Sequence, residues 1–206
     1  MYRNKYLIIE GNIGVGKTSL AKLIAREFNF HLILEEFAEN TFLPQFYNNP
    51  EIFAFPLEMS FMAARFKQMK EFFSKHTLPF PVVSDYMFHK TLLFAKSNLK
   101  TGEFKLFEQF FQMLNTGLPS PQLIVFLYKE VPQLQKNIKK RGRSYEKDIK
   151  DEYLTRIDKA YNSFLKRPPK STKILKINTN ELDFVKNKYD FEHILTEIRK
   201  TGFKLG

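Results

Sequence analysis

The run Gly11-Asn12-Ile13-Gly14-Val15-Gly16-Lys17-Thr18 satisfies the pattern Gly-x-x-x-x-Gly-Lys-Ser/Thr, and Ser19 follows it. Glycines at this spacing let backbone N–H groups curl around phosphate oxygens, a path that side chains would obstruct. A lysine directly after the last glycine reaches the β- and γ-phosphates of a nucleoside triphosphate, and the next hydroxyl serves Mg2+. The bland alternative is a glycine-rich turn with a chance lysine. The flanking segments argue against it: an apolar run, Tyr6–Glu10, enters the loop and a helical pattern begins at Thr18. A helix N-terminus at that place adds its partial positive charge to the anion site.

Moving a phosphoryl group requires neutralised charge, alignment, and a group that takes the acceptor's proton. Carboxylates do the last of these. Glu35-Glu36 closes the apolar run Leu32–Leu34, and Asp85 closes Pro81–Ser84. In an open α/β sheet such strand ends face the ligand. Glu35 and Asp85 are therefore the candidate catalytic carboxylates, and Asp85 also suits the water shell of a metal near Thr18. Glu36 and Glu39 read instead as solvated positions at a turn or helix start. The densest basic cluster is Lys136, Lys139, Lys140, Arg141 and Arg143. Its arginines, with planar guanidinium groups, suit a phosphate clamp; its lysines read as surface. His31, His76, His89 and His193 are scattered without metal-ligand spacing, and His89 reads as structural despite its nearness to Asp85.

These residues need a scaffold. Short apolar runs at Tyr6–Glu10, Leu32–Leu34, Pro81–Ser84, Leu123–Tyr128 and Lys173–Ile177 read as buried strands. Between and after them, Thr18–Phe28, Ala54–Phe73, Glu103–Leu114 and Phe191–Arg199 carry apolar residues at helical spacing. Strands alternating with helices predict an α/β fold with a parallel sheet covered on both faces. The Phe-rich stripe at Glu103–Leu114 reads as core or as a dimer helix. At 206 residues the chain predicts one domain, 1–206, with a small lid.

Lys+Arg exceed Asp+Glu by 33 − 22 = 11, so phosphates, nucleotides and nucleic acids are the attracted partners. The chain has no cysteine, which excludes disulfides, thiolate nucleophiles and Cys-ligated zinc. No stretch approaches the roughly 18 apolar residues of a membrane span. The amino terminus lacks the apolar run of a signal peptide, so a cytoplasmic protein with no membrane partner is expected.

The ordered motifs resemble the deoxynucleoside kinases, most closely the bacterial deoxyguanosine/deoxyadenosine kinase branch. The likeness runs from Tyr6 to about Phe203. Its motifs are Glu10 through Ser19; Glu35 through Leu43; Tyr47 through Glu58 followed by Arg65; Ser84-Asp85-Tyr86 with Phe94-Ala95; and Arg141 through Glu146. The resemblance implies a P-loop kinase fold, a five-stranded parallel sheet flanked by helices with a short lid at about 137–152, and a homodimer. It implies transfer of the ATP γ-phosphoryl group to the 5′-hydroxyl of a 2′-deoxynucleoside with Mg2+. Glu35 would be the general base, Asp85 an alternative acceptor near the metal, and Tyr47 and Glu146 ligands of the 3′-hydroxyl. Glu58 and Arg65 would face the base, Arg141 and Arg143 would clamp the phosphoryl group, and Asp183 and Phe184 would lie at the adenine of ATP.

The chain departs from the family pattern in places. Glu36 stands where proline is usual. Tyr86 replaces the arginine of an acid-Arg-Ser triplet, with Lys90 one helical turn on as the substitute cation, and both are expected to touch the substrate. Asn137 stands where some members carry another lid arginine, and Glu58 where many carry glutamine. An ionised glutamate presents only acceptors. Guanine offers two adjacent donors, N1–H and the 2-amino group, so Glu58 favours deoxyguanosine, with Arg65 toward O6 and N7. A protonated Glu58 would suit deoxyadenosine. A further alternative is that Glu58 pairs with Arg65 and touches no base. The expected function is thus purine deoxynucleoside phosphorylation in salvage. Rival readings are a nucleoside monophosphate kinase of the same fold and a basic nucleic-acid-binding NTPase. The second lacks any recognition module to support it.

Overall fold

The computed structural model describes residues 5–36, 40–75, 80–143, 146, 148–166 and 172–206. Glu39, His76, and Ser144 and Tyr145 of the lid motif lie outside the described residues.

Five strands form one parallel sheet: β1 (Tyr6–Gly11), β2 (His31–Ile33), β3 (Val82–Ser84), β4 (Leu123–Tyr128) and β5 (Lys173–Asn178). Their spatial order is β2-β3-β1-β4-β5, with Leu7 opposite Val83 on one side and Leu123 on the other. β1 and β3 are buried at every position, as expected of strands covered on both faces. The period of two sorts their side chains between two cores. Leu7, Ile9, Val125 and Leu127 pack with α1 (Lys17–Phe28), α6 (Val131–Arg141) and α8 (Lys188–Lys200). Tyr6, Ile8, Ile124 and Phe126 pack with α3 (Pro50–Lys75), α5 (Thr101–Asn115) and α7 (Asp151–Leu165). Two short helices, α2 (Phe42–Asn48) and α4 (Lys90–Asn98), complete the described elements.

Strand and helix expectations agree with these elements to within a few residues. The periodic pattern of α3 begins at Ala54, but the helix itself starts four residues earlier at Pro50. Proline suits a first helical turn, where an N–H has no intrahelical acceptor. α2, α4, α6 and α7 go unanticipated as helices. α2 and α4 are short, α6 is heavily charged, and α7 carries an apolar face at Leu154, Ile157 and Tyr161 between charged residues. On α5 the Phe stripe divides: Phe107 and Phe111 are core, while Leu106, Phe110 and Met113 are exposed. His89 packs against Phe111 and Phe164, and burial pushes its pKa down, in keeping with a structural role.

Glu10, fully buried at the end of β1, joins three segments. It accepts from its neighbour Gly11 N–H, from Met87 N–H at 3.0 Å, and from the Tyr161 hydroxyl of α7 at 2.7 Å. A buried carboxylate that loses a donor bears much of its desolvation cost. Tyr161→Phe is therefore expected to lower the unfolding free energy by about 1.5–3 kcal/mol, measured by urea titration.

Candidate active site

The loop after β1 is held open by its neighbours. Gly16 caps α1 with φ 106°, a conformation that favours glycine. A Cβ there would lie 2.9 Å from the Phe184 ring. Gly16→Ala is thus expected to cost about 1–3 kcal/mol of stability and to raise KM for ATP, read by thermal unfolding and steady-state kinetics. Ile13, Lys17 and Thr18 of the loop line the cleft, while Asn12 braces the loop from behind. Asn12 donates to Leu154 O and Asp158 Oδ1, both at 2.8 Å, tying the loop to α7. Asn137 donates to Gly14 O at 2.8 Å and braces the loop from α6. Val15 is core and Ser19 is exposed. Lys17 donates through Nζ to Gly11 O and Asn12 O, both at 2.9 Å, curling over the loop it serves.

The carboxylates at the ends of β2 and β3 converge on this loop. Asp85 accepts from Thr18 Oγ1–H at 2.5 Å and from Glu35 N–H at 2.8 Å. It therefore sits against the hydroxyl that a magnesium ion would use. Glu35 is almost fully buried between two cations. Arg65 reaches Oε1 through Nε at 2.8 Å and through a terminal nitrogen at 2.5 Å, and Lys90 Nζ reaches Oε2 at 2.6 Å. Burial pushes the Glu35 carboxyl up, but Lys90 and Arg65 outweigh it and hold it at about 2. Lys90 thus places a cation directly against Glu35.

Tyr86 requires a correction. The residue after Asp85 was expected to touch substrate. Its ring is instead buried in the second core, below the cleft, and its hydroxyl donates to Gln68 Oε1 at 2.5 Å. Ser84 Oγ donates to Tyr86 O at 2.7 Å and fixes the turn that directs the ring inward.

Glu35, Asp85, Lys17 and Thr18 form the floor of a cleft of about 750 Å3 including its open mouth. This is within the usual range for a small-molecule site. Tyr47 and Glu146 line it, as do Arg141 and Arg143, which both pair with Glu146. Lys136, Lys139 and Lys140 are exposed, as expected of the lysines in that cluster. At the far end lie Leu57, Glu58, Phe61 and Phe94. Glu58 does not pair directly with Arg65; its Oε1 accepts from Asn98 Nδ2 at 2.7 Å. Arg65 is committed to Glu35 and to Thr91 Oγ1, with Phe61 under its guanidinium at 4.8 Å. Its expected part in reading the base is therefore secondary to holding Glu35. Burial pushes the Glu58 carboxyl up to about 7.

Asp183 and Phe184 lie outside this cleft. Phe184 packs on the loop at Gly16, and the Asp183 carboxylate accepts from Lys186 N–H. Asn98 and Tyr153 line the cleft without having been singled out in the sequence. Asn98 ends a nine-residue helix, and Tyr153 belongs to a charged one. The only signal for either was the amphipathic spacing Leu154, Ile157 and Tyr161 around Tyr153.

A parallel sheet in the order β2-β3-β1-β4-β5, with a Lys-Thr phosphate loop after β1 and acids after β2 and β3, defines a P-loop kinase fold. The deoxynucleoside kinase family model matches residues 7–202, and the chain belongs to that family. It is 34% identical over 201 residues to a deoxyguanosine kinase of Bacillus subtilis (strain 168), covering 95% of this chain and 96% of that protein. A deoxyadenosine/deoxycytidine kinase of the same organism is 26% identical, covering 95% of this chain and 92% of that one. A structure of deoxyadenosine kinase from M. mycoides with bound dATP superposes with a TM-score of 0.81 at 23% identity, covering 94% of this chain and 99% of that chain. The chain is accordingly an ATP-dependent kinase of deoxynucleosides.

Proposed function

We propose that this kinase phosphorylates the 5′-hydroxyl of purine 2′-deoxynucleosides in salvage, deoxyguanosine ahead of deoxyadenosine, with Mg-ATP as donor. The observation that carries the reading is the charge along the cleft. On the sugar side Arg65 and Lys90 are held by Glu35, at the mouth Arg141 and Arg143 meet Glu146, and the far end is an acceptor, Glu58, while Lys17 stays with the phosphate loop. A neutral sugar and a base with donors suit that arrangement. A monophosphate acceptor would need a further cation beside the sugar, beyond Arg65 and Lys90, which hold Glu35, and beyond Lys17, Arg141 and Arg143, which serve the phosphates of ATP; this disfavours the monophosphate kinase reading. The deoxyguanosine kinase relative supports the guanine preference.

In this reading the sugar lies over Glu35, which orients the 5′-hydroxyl and takes its proton as the bond to phosphorus forms. Tyr47 and Glu146 hold the 3′-hydroxyl. Lys17 and the loop N–H groups hold the β- and γ-phosphates. Thr18 and Asp85 would hold the magnesium ion and its waters; their contact and the oxygen chemistry of both groups fit a hard cation. Arg141 and Arg143, in a lid at about 137–152, exchange Glu146 for the transferring phosphoryl group. Asp183 and Phe184 border the adenine of ATP. The exposed Leu106, Phe110 and Met113 on α5 support a homodimer. Among the described residues no helix is long and apolar enough to cross a membrane. We place the enzyme in the cytoplasm, without a nucleic-acid partner.

The test is ATP-dependent phosphorylation of the four deoxynucleosides and of deoxyguanosine monophosphate. Deoxyguanosine is expected to lead, and Glu58→Gln to shift preference toward deoxyadenosine or deoxycytidine by about 10-fold or more. Phosphorylation of the monophosphate but of no nucleoside would overturn the reading. Deoxyadenosine leading in the native enzyme would overturn the guanine preference alone.

A further inference from the structure

Three buried side-chain atoms meet no hydrogen-bond partner among the described residues, and two of them belong to one hydrogen-bonded pair in the cleft: Glu58 Oε2 and Asn98 Oδ1. Such orphans are rare in folded proteins and point to a missing partner. Glu58 comes from α3 and is 1% exposed. Asn98, the last residue of α4, lies 40 positions later in the chain. Both line the cleft, with Tyr153 of α7 beside the Asn98 amide.

The chemistry of the pair fixes its orientation. An ionised carboxylate only accepts, so Asn98 must turn its amide nitrogen toward Glu58. That leaves Oδ1 as the atom of the amide without a partner. The result is two neighbouring acceptors, one on each residue. Glu58 Oε1 is already occupied by Asn98, so Glu58 brings one free oxygen to a base rather than two.

Resting on the reading of the cleft as a purine deoxynucleoside site, we propose that Asn98 is a specificity-determining residue: its Oδ1 accepts the 2-amino group of guanine while Glu58 Oε2 accepts N1–H. Among the four bases only guanine presents two adjacent donors on its Watson–Crick edge. Adenine and cytosine would set a ring acceptor against one of these oxygens, and thymine, with its single N3–H donor, would set a carbonyl against the other. Glu58 must be ionised for this pairing. Arg65 on α3 and Lys90 on α4 favour the ionised form, as does the Asn98 hydrogen bond; burial and Glu35 oppose it, with Tyr153 facing from α7. The comparison below is therefore made at a pH of about 8.5, above the Glu58 titration.

Deoxyinosine isolates the Asn98 contact, because it keeps N1–H and O6 and lacks only the 2-amino group. Native enzyme is expected to prefer deoxyguanosine over deoxyinosine by about 10- to 100-fold in kcat/KM, since deoxyinosine leaves one buried acceptor unpaired. Asn98→Ala removes that acceptor, and the ratio should fall to within about 3-fold of unity. A merely structural role would slow both nucleosides together and leave the ratio intact. Asn98→Ser carries the same comparison if the alanine variant does not fold, and the native ratio needs no variant. A native ratio near unity, or a native ratio kept in either variant, would overturn the assignment of Asn98. Turnover of neither nucleoside by the native enzyme would overturn the purine-site reading and this inference with it.

Discussion

Glu35→Gln is expected to lower kcat by about 10²- to 10⁴-fold. The substitution keeps the shape of the side chain and removes the charge that, on the proposed function, aligns and finally accepts the proton of the sugar hydroxyl. A carboxyl held at about 2 is a weak base toward an unreacted alcohol. In a loose phosphoryl-transfer transition state the hydroxyl becomes acidic only as its bond to phosphorus forms. A permanently ionised group that orients the hydroxyl and receives its proton late is then sufficient. KM for ATP should change little, because Lys17 and the loop carry the donor. The acidic limb of the kcat profile should not be set by Glu35 anywhere above pH ~4.

The same substitution should cost stability. Arg65 and Lys90 are both buried, and removing their common partner strands two cations, typically at about 3–5 kcal/mol for a broken buried pair. The pH dependence has a definite sign. A carboxyl whose folded value lies below its ordinary 4.5 contributes stability above that ordinary value and loses it as pH falls toward about 2. Native enzyme should therefore lose stability across that window more steeply than Glu35→Gln. Urea titrations over the window, with kinetics on the folded fraction, separate the stability effect from the catalytic one.

Lys17→Met is expected to lower kcat/KM for ATP by about 10²- to 10³-fold, as for other preorganised charge donors at a reacting oxygen. Methionine keeps much of the side-chain stem while removing the ammonium. In the free enzyme that ammonium rests on the carbonyls of Gly11 and Asn12, and phosphate oxygens are the stronger acceptors. Burial and neighbouring Lys90 push the Lys17 pKa down to about 8, against the pull of Glu10, Glu35 and Asp85. Free-enzyme groups govern kcat/KM, so this parameter should fall as pH rises through about 8 in the native enzyme. Lys17→Met should lack that limb. An unchanged alkaline limb in the variant would assign it to another group.

Much of this was visible from residue order. The phosphate loop is contiguous: its glycines, lysine and threonine act through spacing along eight residues, so a linear pattern carries it. The five strands are short apolar runs between turn signals, and the parallel sheet follows from their alternation with helices. Glu35 and Asp85 were visible because strand ends in such a sheet converge on one edge. Arg141 and Arg143 stood out from their lysine neighbours by the geometry of the guanidinium group.

The polar partnerships were not visible. Arg65 reads as a base-facing residue along a helix two turns from Glu58, yet Glu35, 30 positions earlier in the chain, binds it. Tyr86 stands in a motif beside Asp85, yet the turn at Ser84 sends it into the core. Asn98 and Glu58 meet only because α3 and α4 pack side by side. Periodicity reports which face of an element is apolar, since burial of that face is what drives the element to pack. It is silent about which polar groups then meet across the packed faces. That depends on how the helices set their side chains against one another, and a buried charge accepts whichever opposite charge or donor the packing brings within reach.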